Sequence, residues 1–355
     1  MKPINEKFIN SYYLLKPFIP RMLQLGLRRA FATRKRSVYQ DIWPIDPKAC
    51  KKPEKWQGWP GNKRFALVLT HDVDTFRGHE RCERLMRLEE RLGFRSSFNF
   101  VAGEYKVSPT LRRNLTERGF EVGVHGLFHN RELYKSRENF RKHALQINNY
   151  LKQWKSVGFR SPCMYHNLEW MHDLHIAYDA STFDTDPFEP QPDGVGTIFP
   201  FHVKGTSDQK GYMELPYTLP QDFTLFILFR EKNIDTWKKK IAWIAEHGGM
   251  ALLNTHPDYM NFGGKIGPEE YRAGYYEEFL KHVEHEYKDE YWSPLPHEMA
   301  DFWLNKDSGA DLSALDAKDA FLGKDAGSWG LPDQEKNIDL ENAPVTLCAD
   351  SQSHI

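Results

Sequence analysis

The sequence predicts an α/β protein made of repeated strand–helix units, which form either an α/β barrel or a doubly wound sheet. Short apolar runs alternate with segments whose apolar residues recur at helical spacing, and several of these segments end at a glycine. The alternation continues over about 240 residues, a length that suits one such domain. Apolar residues make up 40% and aromatic residues 14% of the 355 residues, which excludes a chain that is disordered throughout.

The predicted elements follow one another in a regular order. A buried strand at 65–70 precedes a helix that ends at Gly93. A second strand at 97–102 precedes a helix that begins after the N-cap Ser108 and ends at Gly119. Further strands are predicted at 120–125, from Gly158 and at 250–254, and further helices at 140–154, 234–244 and 268–287.

Charge is distributed unevenly along the chain, although the formal net charge is only −1. Residues 1–64 contain fifteen Lys and Arg against four Asp and Glu, a net charge of +11, whereas residues 307–355 contain three against ten, a net charge of −7. Positive charge is therefore confined to one end, so a nucleic-acid partner is not expected. We predict a basic N-terminal extension at 1–64, the α/β domain at 65–305 and an acidic, disordered tail at 306–355.

The stretch that begins at Tyr12 and ends at Arg36 combines apolar residues with seven basic residues and contains no acid. Prolines early in the stretch favour a helix that begins near Pro20 and ends around Ala32. Two interpretations fit this pattern. The helix could lie on an anionic membrane surface, or it could pack on its own domain with its arginines in solvent.

The sequence also bears on the compartment. The longest apolar run, at 225–229, falls far short of the roughly 18 residues that a bilayer span requires. The four cysteines contain no C-x-x-C pair, so neither a disulfide framework nor a Cys-type zinc site is indicated, and no secretory signal is obvious. We therefore expect a cytoplasmic protein, held at the inner membrane face if its N-terminal helix binds lipid.

Polar side chains that suit catalysis or metal binding occur where the predicted strands end. Taken alone, each has an ordinary interpretation, such as an aspartate turn, a surface histidine or an ion pair. A barrel of strand–helix units gathers its active site at the carboxyl ends of its strands, so together they predict one active site. These side chains are Asp72 and Asp74, His125 and His129, Arg160 with Pro162, Asp179, Asp184 and Asp186 in an acid-rich loop, and His256.

In their order and spacing, these motifs resemble those of the NodB-homology polysaccharide deacetylases, carbohydrate esterase family four. The resemblance covers about residues 65–260 and is to a subgroup with a D-x-D first motif. It implies a deformed (β/α) barrel and metal-dependent hydrolysis of an N-acetyl group from a sugar or glycan. Gly126 stands where the family usually has Ser or Thr, and Asn254 stands where a pocket leucine is common.

The resemblance also implies a metal centre and a base. Asp74, His125 and His129 would be the ligands, and Asp72 would be the catalytic base. Two imidazoles and one carboxylate leave a fourth position open, the arrangement of a catalytic zinc, although this ligand set also accepts Co²⁺, Ni²⁺ or Mn²⁺.

The remaining motifs imply the other catalytic roles. Arg160, from the R-x-P motif that Pro162 completes, would orient the base, and the backbone N–H near Cys163 would contribute to the oxyanion hole. His256 would be the general acid. Its carboxylate partner stays open among three aspartates, namely Asp179, Asp184 and Asp186.

Three other functions remain open at this point. The nearest is an amidase that acts on a small non-sugar C–N bond. A glycosyltransferase could use a D-x-D motif to hold a metal and a nucleotide sugar, but a nucleotide-binding half would have to precede Asp72, and none is recognisable. An inactive barrel that only binds glycans is disfavoured because polar side chains are present at all five of the strand ends described above.

Overall fold

A curled, mainly parallel sheet forms the centre of the protein. The computed structural model describes residues 20–307, apart from residue 55 and residues 206–210, and the described residues belong to one compact unit. Most of the predicted acidic tail and the first nineteen residues of the predicted extension lie outside the described residues, and the proposed boundaries at 64 and 305 stay predictions.

The described strands and helices alternate along most of the chain. The strands are β1 (Phe65–Val73), β2 (Ser97–Phe100), β3 (Glu121–Val124), β4 (Gly158–Phe159), β5 (Tyr178–Asp179), β6 (Phe201–Val203), β7 (Tyr212–Glu214), β8 (Met250–Thr255), β9 (Met260–Asn261), β10 (Tyr271–Arg272) and β11 (Tyr291–Trp292). The α-helices are α1 (Arg21–Val38), α2 (Phe76–Arg91), α3 (Pro109–Glu117), α4 (Arg137–Trp154), α5 (Asp235–His247), α6 (Gly274–Glu286) and α7 (Pro296–Asp307).

The main sheet is a deformed barrel. Its strand order is β11-β1-β2-β3-β4-β5-β7-β6, with β8 also paired to β1, and all of these pairings except β6–β7 are parallel. Two isolated parallel bridges continue the sheet: Phe183 to Tyr217 joins the segments after β5 and β7, and Leu219 to Leu253 joins the segment after β7 to β8. The curled sheet therefore closes on itself, which confirms the predicted (β/α) barrel.

Strand β1 is central to the barrel, because every one of its nine residues is buried and it pairs with β2, β8 and β11. The sequence of a strand that is covered on both faces is typically a continuous apolar run, and the segment from Phe65 to Leu69 is such a run. β1 continues to Val73, three residues beyond the predicted strand. Asp72 is thus part of β1, while Asp74 directly follows it.

Most predicted helix ends agree with the structure, and three helices differ. Ser108 caps α3 by accepting a hydrogen bond from the N–H of Leu111. α1 continues to Val38 instead of Ala32, since no Pro or Gly interrupts it there. α6 begins at Gly274 instead of residue 268, because Tyr271–Arg272 pairs with β9. α7 was not predicted; its aromatic residues Phe302 and Trp303 pack against Trp59.

Helix α1 packs on the domain through one face. Leu25 is 1% exposed, and Arg29 donates hydrogen bonds to the carbonyls of Ile227 and Pro268. Arg36 pairs with Glu231 at 2.9 Å. The described part of the N-terminal stretch therefore contacts its own domain through Leu25 and through two of its arginines, Arg29 and Arg36. No helix in the described part of the chain has the length and apolar character that a membrane span needs.

Candidate active site

Three side chains from two loops meet above the carboxyl ends of β1 and β3. Asp74 Oδ1 lies 3.5 Å from His125 Nε2 and 3.4 Å from His129 Nε2. These ligand atoms lie within 4.8 Å of one another, and all three residues are buried. The structure thus brings together the three residues that the sequence motifs suggested as ligands.

The donor atoms suit a divalent metal. Asp74 Oδ1 is buried and accepts no hydrogen bond, which is costly for a carboxylate oxygen unless a cation neutralises it. His125 Nδ1 lies 3.0 Å from the carbonyl oxygen of Arg160, which can only accept, so Nδ1 carries a proton and a neutral His125 presents an unprotonated Nε2 toward Asp74. Two imidazole nitrogens and a carboxylate oxygen are a donor set that zinc accepts.

Burial and the neighbouring charges set the ionisation of these three residues, and they favour a bound cation at Asp74 and His129. Burial alone would raise the pKa of Asp74, but the neighbouring histidines His129, His256 and His125 hold it well below its usual range. Burial lowers the pKa of His129, which favours the neutral, ligating form. Burial also acts to lower the pKa of His125, but the charges of Asp72 and Asp74 outweigh it and raise that pKa.

Asp72 is held beside this cluster by two amides. Its Oδ1 accepts a hydrogen bond from Asn99 Nδ2 at 3.0 Å, and its Oδ2 accepts one from Asn254 Nδ2 at 2.7 Å. β2 and β8, which pair with β1 on either side, supply these two asparagines. The asparagine found at a common leucine position therefore orients the carboxylate, a role that its sequence context did not reveal.

Arg160 supplies the nearby positive charge. Its side chain is fully buried and its Nη1 lies 3.7 Å from Asp72 Oδ2, too far for a hydrogen bond. Burial would raise the pKa of Asp72, but the charges of His125, Arg160 and His256 lower it. The carboxylate is consequently ionised at neutral pH and held in one orientation.

The R-x-P segment forms a tight, strained turn. Cys163 and Met164 have φ values of +55° and +54°, a left-handed conformation that costs a non-glycine residue about 1–2 kcal/mol. Pro162 packs against Gly126, where an added Cβ would lie 2.6 Å from the proline ring. Gly126 also has a φ of +69°, a conformation that favours glycine. Both this backbone conformation and the lack of space for a Cβ explain why glycine replaces Ser or Thr at this position.

His256 is paired with Asp222. Its Nδ1 lies 2.7 Å from Asp222 Oδ1, and its backbone N–H donates to Asp222 Oδ2 at 2.8 Å. Burial acts to lower the pKa of His256, but Asp222 and the carboxylates of Asp74 and Asp72 raise it to about 10. His256 is therefore protonated at neutral pH, as a general acid must be.

The expectation that Asp179, Asp184 or Asp186 partners His256 is wrong, because each of them is engaged elsewhere. Asp179 accepts from the Ser181 hydroxyl at 2.6 Å, and Asp184 pairs with the buried Lys240 at 2.5 Å. Asp186 accepts from the Tyr217 hydroxyl at 3.0 Å. Asp222 belongs to a segment that approaches β8 only in the folded barrel, so its distance in sequence concealed it.

Two further residues position the candidate metal ligands and were also missed. Asp258 accepts hydrogen bonds from the backbone N–H groups of Asp74 and Thr75, both at 3.0 Å. Glu104 accepts from the backbone N–H of His129 at 2.7 Å. Asp258 stands two residues after His256, a spacing that could have marked it as part of the same site.

We compared the sequence and the fold with those of known proteins. No protein-family model matches the sequence, and no curated protein matches it. Solved structures with the same fold include a protein provisionally named a polysaccharide deacetylase from Mycobacterium smegmatis, which has a TM-score of 0.56 and 18% identity and aligns over 72% of this chain and 96% of its own.

Two further structures share the fold. PuuE allantoinase has a TM-score of 0.56 and 15% identity, over 74% of this chain and 97% of its own. A protein provisionally named a polysaccharide deacetylase from Pseudomonas aeruginosa PAO1 has a TM-score of 0.52 and 17% identity, over 70% of this chain and 93% of its own. This chain therefore has the fold of the NodB-type polysaccharide deacetylases and of PuuE allantoinase, as the motifs predicted.

Proposed function

We propose that the protein is a metal-dependent hydrolase that removes an N-acetyl group from a sugar or glycan. The observation that carries this proposal is the buried, uncompensated Asp74 oxygen, which faces His125 and His129 beside an ionised Asp72. The fold shared with proteins provisionally named polysaccharide deacetylases supports it.

The proposed ligands are Asp74, His125 and His129, and zinc is the metal that we favour, with Co²⁺, Ni²⁺ or Mn²⁺ as substitutes. When bound, such an ion would acidify a water molecule and polarise the acyl oxygen. The remaining steps belong to the protein's own residues. None of them requires a second cofactor.

Asp72 and His256 provide the two proton transfers. Asp72 accepts a proton as water attacks the amide carbonyl, while Asn99 and Asn254 hold its carboxylate in place. His256 then gives its proton to the departing nitrogen, and Asp222 stabilises the imidazolium before that transfer. The backbone N–H of the strained turn at Cys163 is our candidate for a donor to the developing oxyanion.

The test is acetate release by the wild type and by Asp72→Asn. Asparagine cannot take a proton, so the rate should fall on the order of 10²–10⁴-fold, the usual contribution of one general base. Elemental analysis should show that Asp72→Asn keeps its metal, whereas Asp74→Asn should lose metal and activity together. Asp289→Asn, at an exposed site, is the matched control and should behave like wild type. Full activity in Asp72→Asn would contradict the proposed base.

A small-amide hydrolase is the second candidate, because PuuE allantoinase matches this chain as well as the deacetylases do. Acetate release from N-acetylglucosamine oligomers, peptidoglycan fragments and nucleotide sugars, measured beside hydrolysis of allantoin and other small amides, separates the two. Activity only on the small amides would show that the substrate is a small amide and not a sugar. The proposed roles of the catalytic residues would stay the same. The cytoplasmic location remains our proposal and can be tested by cell fractionation.

A further inference from the structure

The outward face of α1 is apolar, although it faces solvent. Leu23, Leu27, Phe31 and Val38 are 48–56% exposed, and they occupy one side of the helix at spacings of four, four and seven residues. Met22, at the start of the helix, is 58% exposed. The 18 residues of α1 make this strip about 27 Å long.

The inward face of the same helix holds cations. The Arg28 guanidinium stacks on the Phe223 ring at 4.9 Å, and the Arg36 guanidinium stacks on the Phe229 ring at 4.6 Å. Arg29 donates to the carbonyls of Ile227 and Pro268. A surface helix in water normally turns its apolar side chains inward and its charges outward. α1 departs from that arrangement, because arginines share its inward face with Leu25 and Ala32 while four large apolar side chains face outward. Those four side chains are suited to an apolar surrounding.

The charges around the strip are mainly positive. α1 contains no acid, and Arg34 is exposed on its outer side. Lys35 Nζ lies 5.9 Å from the ring centroid of Phe31, a residue of the strip. The surface at the apolar strip therefore has positive charge to offer an anionic partner.

We propose that α1 is a membrane-docking helix, which places Leu23, Leu27, Phe31 and Val38 in the interfacial region of an anionic lipid bilayer. An apolar strip bordered by basic residues is the surface that lies in a lipid–water interface, where apolar burial and attraction to acidic headgroups add. Positive charge favours this occupant over a second copy of the chain, which would bring the same cations to the interface.

The docked helix would lie close to the catalytic acid. The Phe223 ring, on which the Arg28 guanidinium stacks, packs against Tyr259 with ring centroids 5.1 Å apart. The Tyr259 ring in turn lies 5.2 Å from the His256 ring, between centroids. Only two aromatic side chains separate α1 from His256 along this path. Docking through α1 would thus hold the active site near the bilayer surface. The docking itself does not depend on the proposed reaction.

Co-sedimentation of the full-length protein with vesicles tests the proposal. The wild type should sediment with vesicles of phosphatidylcholine mixed with phosphatidylglycerol, more weakly with phosphatidylcholine alone, and less as salt is added. The double variant Leu27→Glu/Phe31→Glu should bind at least tenfold more weakly, because two apolar side chains leave the lipid. Arg34→Gln/Lys35→Gln, at the two cations beside the strip, should weaken binding to the anionic vesicles alone.

Leu145→Glu is the matched control, since Leu145 is 70% exposed on α4, away from this strip. It should bind like wild type, and circular dichroism together with deacetylase activity should show that each variant is folded. The proposal is wrong if the wild type remains in the supernatant, or if Leu145→Glu weakens binding as much as the double variant. A dimer in light scattering that the double variant abolishes, without vesicle binding, would instead make the strip an interface between two copies.

Discussion

At the scale of single residues, the most informative group is Asp222, because it fixes both the position and the charge of His256. It contacts the Nδ1 and the backbone N–H of His256 and accepts a hydrogen bond from the Tyr271 hydroxyl at 2.9 Å. A carboxylate in this position acts through the histidine as a positioning residue, since it keeps the imidazole oriented and protonated.

Replacing Asp222 with Asn should move the alkaline limb of the kcat–pH profile to lower pH. Asp222 is the largest influence that raises the pKa of His256, which stands at about 10, so removing its charge lets burial lower that pKa. The active, protonated form is then lost at a lower pH. Each unit of pKa corresponds to about 1.4 kcal/mol.

The profile of kcat against pH for wild type, Asp222→Asn and Tyr271→Phe provides the measurement. Tyr271→Phe removes one hydrogen bond to Asp222 but no charge, so its limb should stay near that of the wild type. An unchanged limb in Asp222→Asn would show that another group controls the protonation of the acid.

At the scale of secondary-structure elements, the contact between α7 and the barrel includes one ionisable pair beside its aromatic packing. His297, in the first turn of α7, places both its backbone N–H and its Nδ1 against Glu121 Oε2, at 3.1 and 3.0 Å. The other carboxylate oxygen of Glu121 accepts from the Tyr178 hydroxyl at 2.8 Å. One side chain of β3 thus joins α7 to β5.

This pair makes stability depend on pH in a definite direction. Burial acts to lower the pKa of His297, but Glu121 raises it to about 9, above the value of about 6.5 in an unfolded chain. Protonated His297 therefore stabilises the fold fully below pH ~6.5, and this stabilisation is lost as the pH rises through about 9.

Urea unfolding of wild type and His297→Gln across this pH range should show a difference in free energy of unfolding that is largest near pH 6 and shrinks toward pH 9.5. His175→Gln, at an exposed histidine, should show a much smaller difference that does not follow this course. A His297→Gln difference that is constant with pH would contradict the assignment.

At the scale of the whole molecule, the proposed metal should stabilise the fold. Asp74 follows β1, and the two histidines follow β3, so one ion would join the loops of two strands. A ligand that binds only the native state stabilises it by about 2.7 kcal/mol at 100 times its dissociation constant. Adding zinc to the chelator-treated protein should therefore raise its Tm by several degrees.

His129→Ala should lose most of this rise, because it removes one of three ligands. His285→Ala is the control for zinc held at surface histidines, since His285 is exposed on α6, three residues from His282. Scanning calorimetry with and without zinc measures the effect. An equal rise in wild type and His129→Ala would place the stabilising ion elsewhere.

Much of the fold could be predicted from local patterns. The buried run from Phe65, the Ser108 cap and the glycine stop at Gly119 each depend on neighbours within a few residues, and the structure confirms them. The predicted start of α6 was wrong because Tyr271–Arg272 is recruited by β9, a contact that helical spacing cannot reveal.

The sequence by itself determined the strand–helix alternation and the polar residues at the strand ends, because these are local properties, whereas the barrel was implied by the resemblance of its motifs to a known family. Tertiary structure alone decided which carboxylate meets His256, which amides hold Asp72 and which face of α1 turns outward. Asp222 lies 34 residues before His256, and Asn254 lies 182 residues after Asp72. Such partners come together only through the closure of the sheet, because strands adjacent in the barrel are distant in the chain.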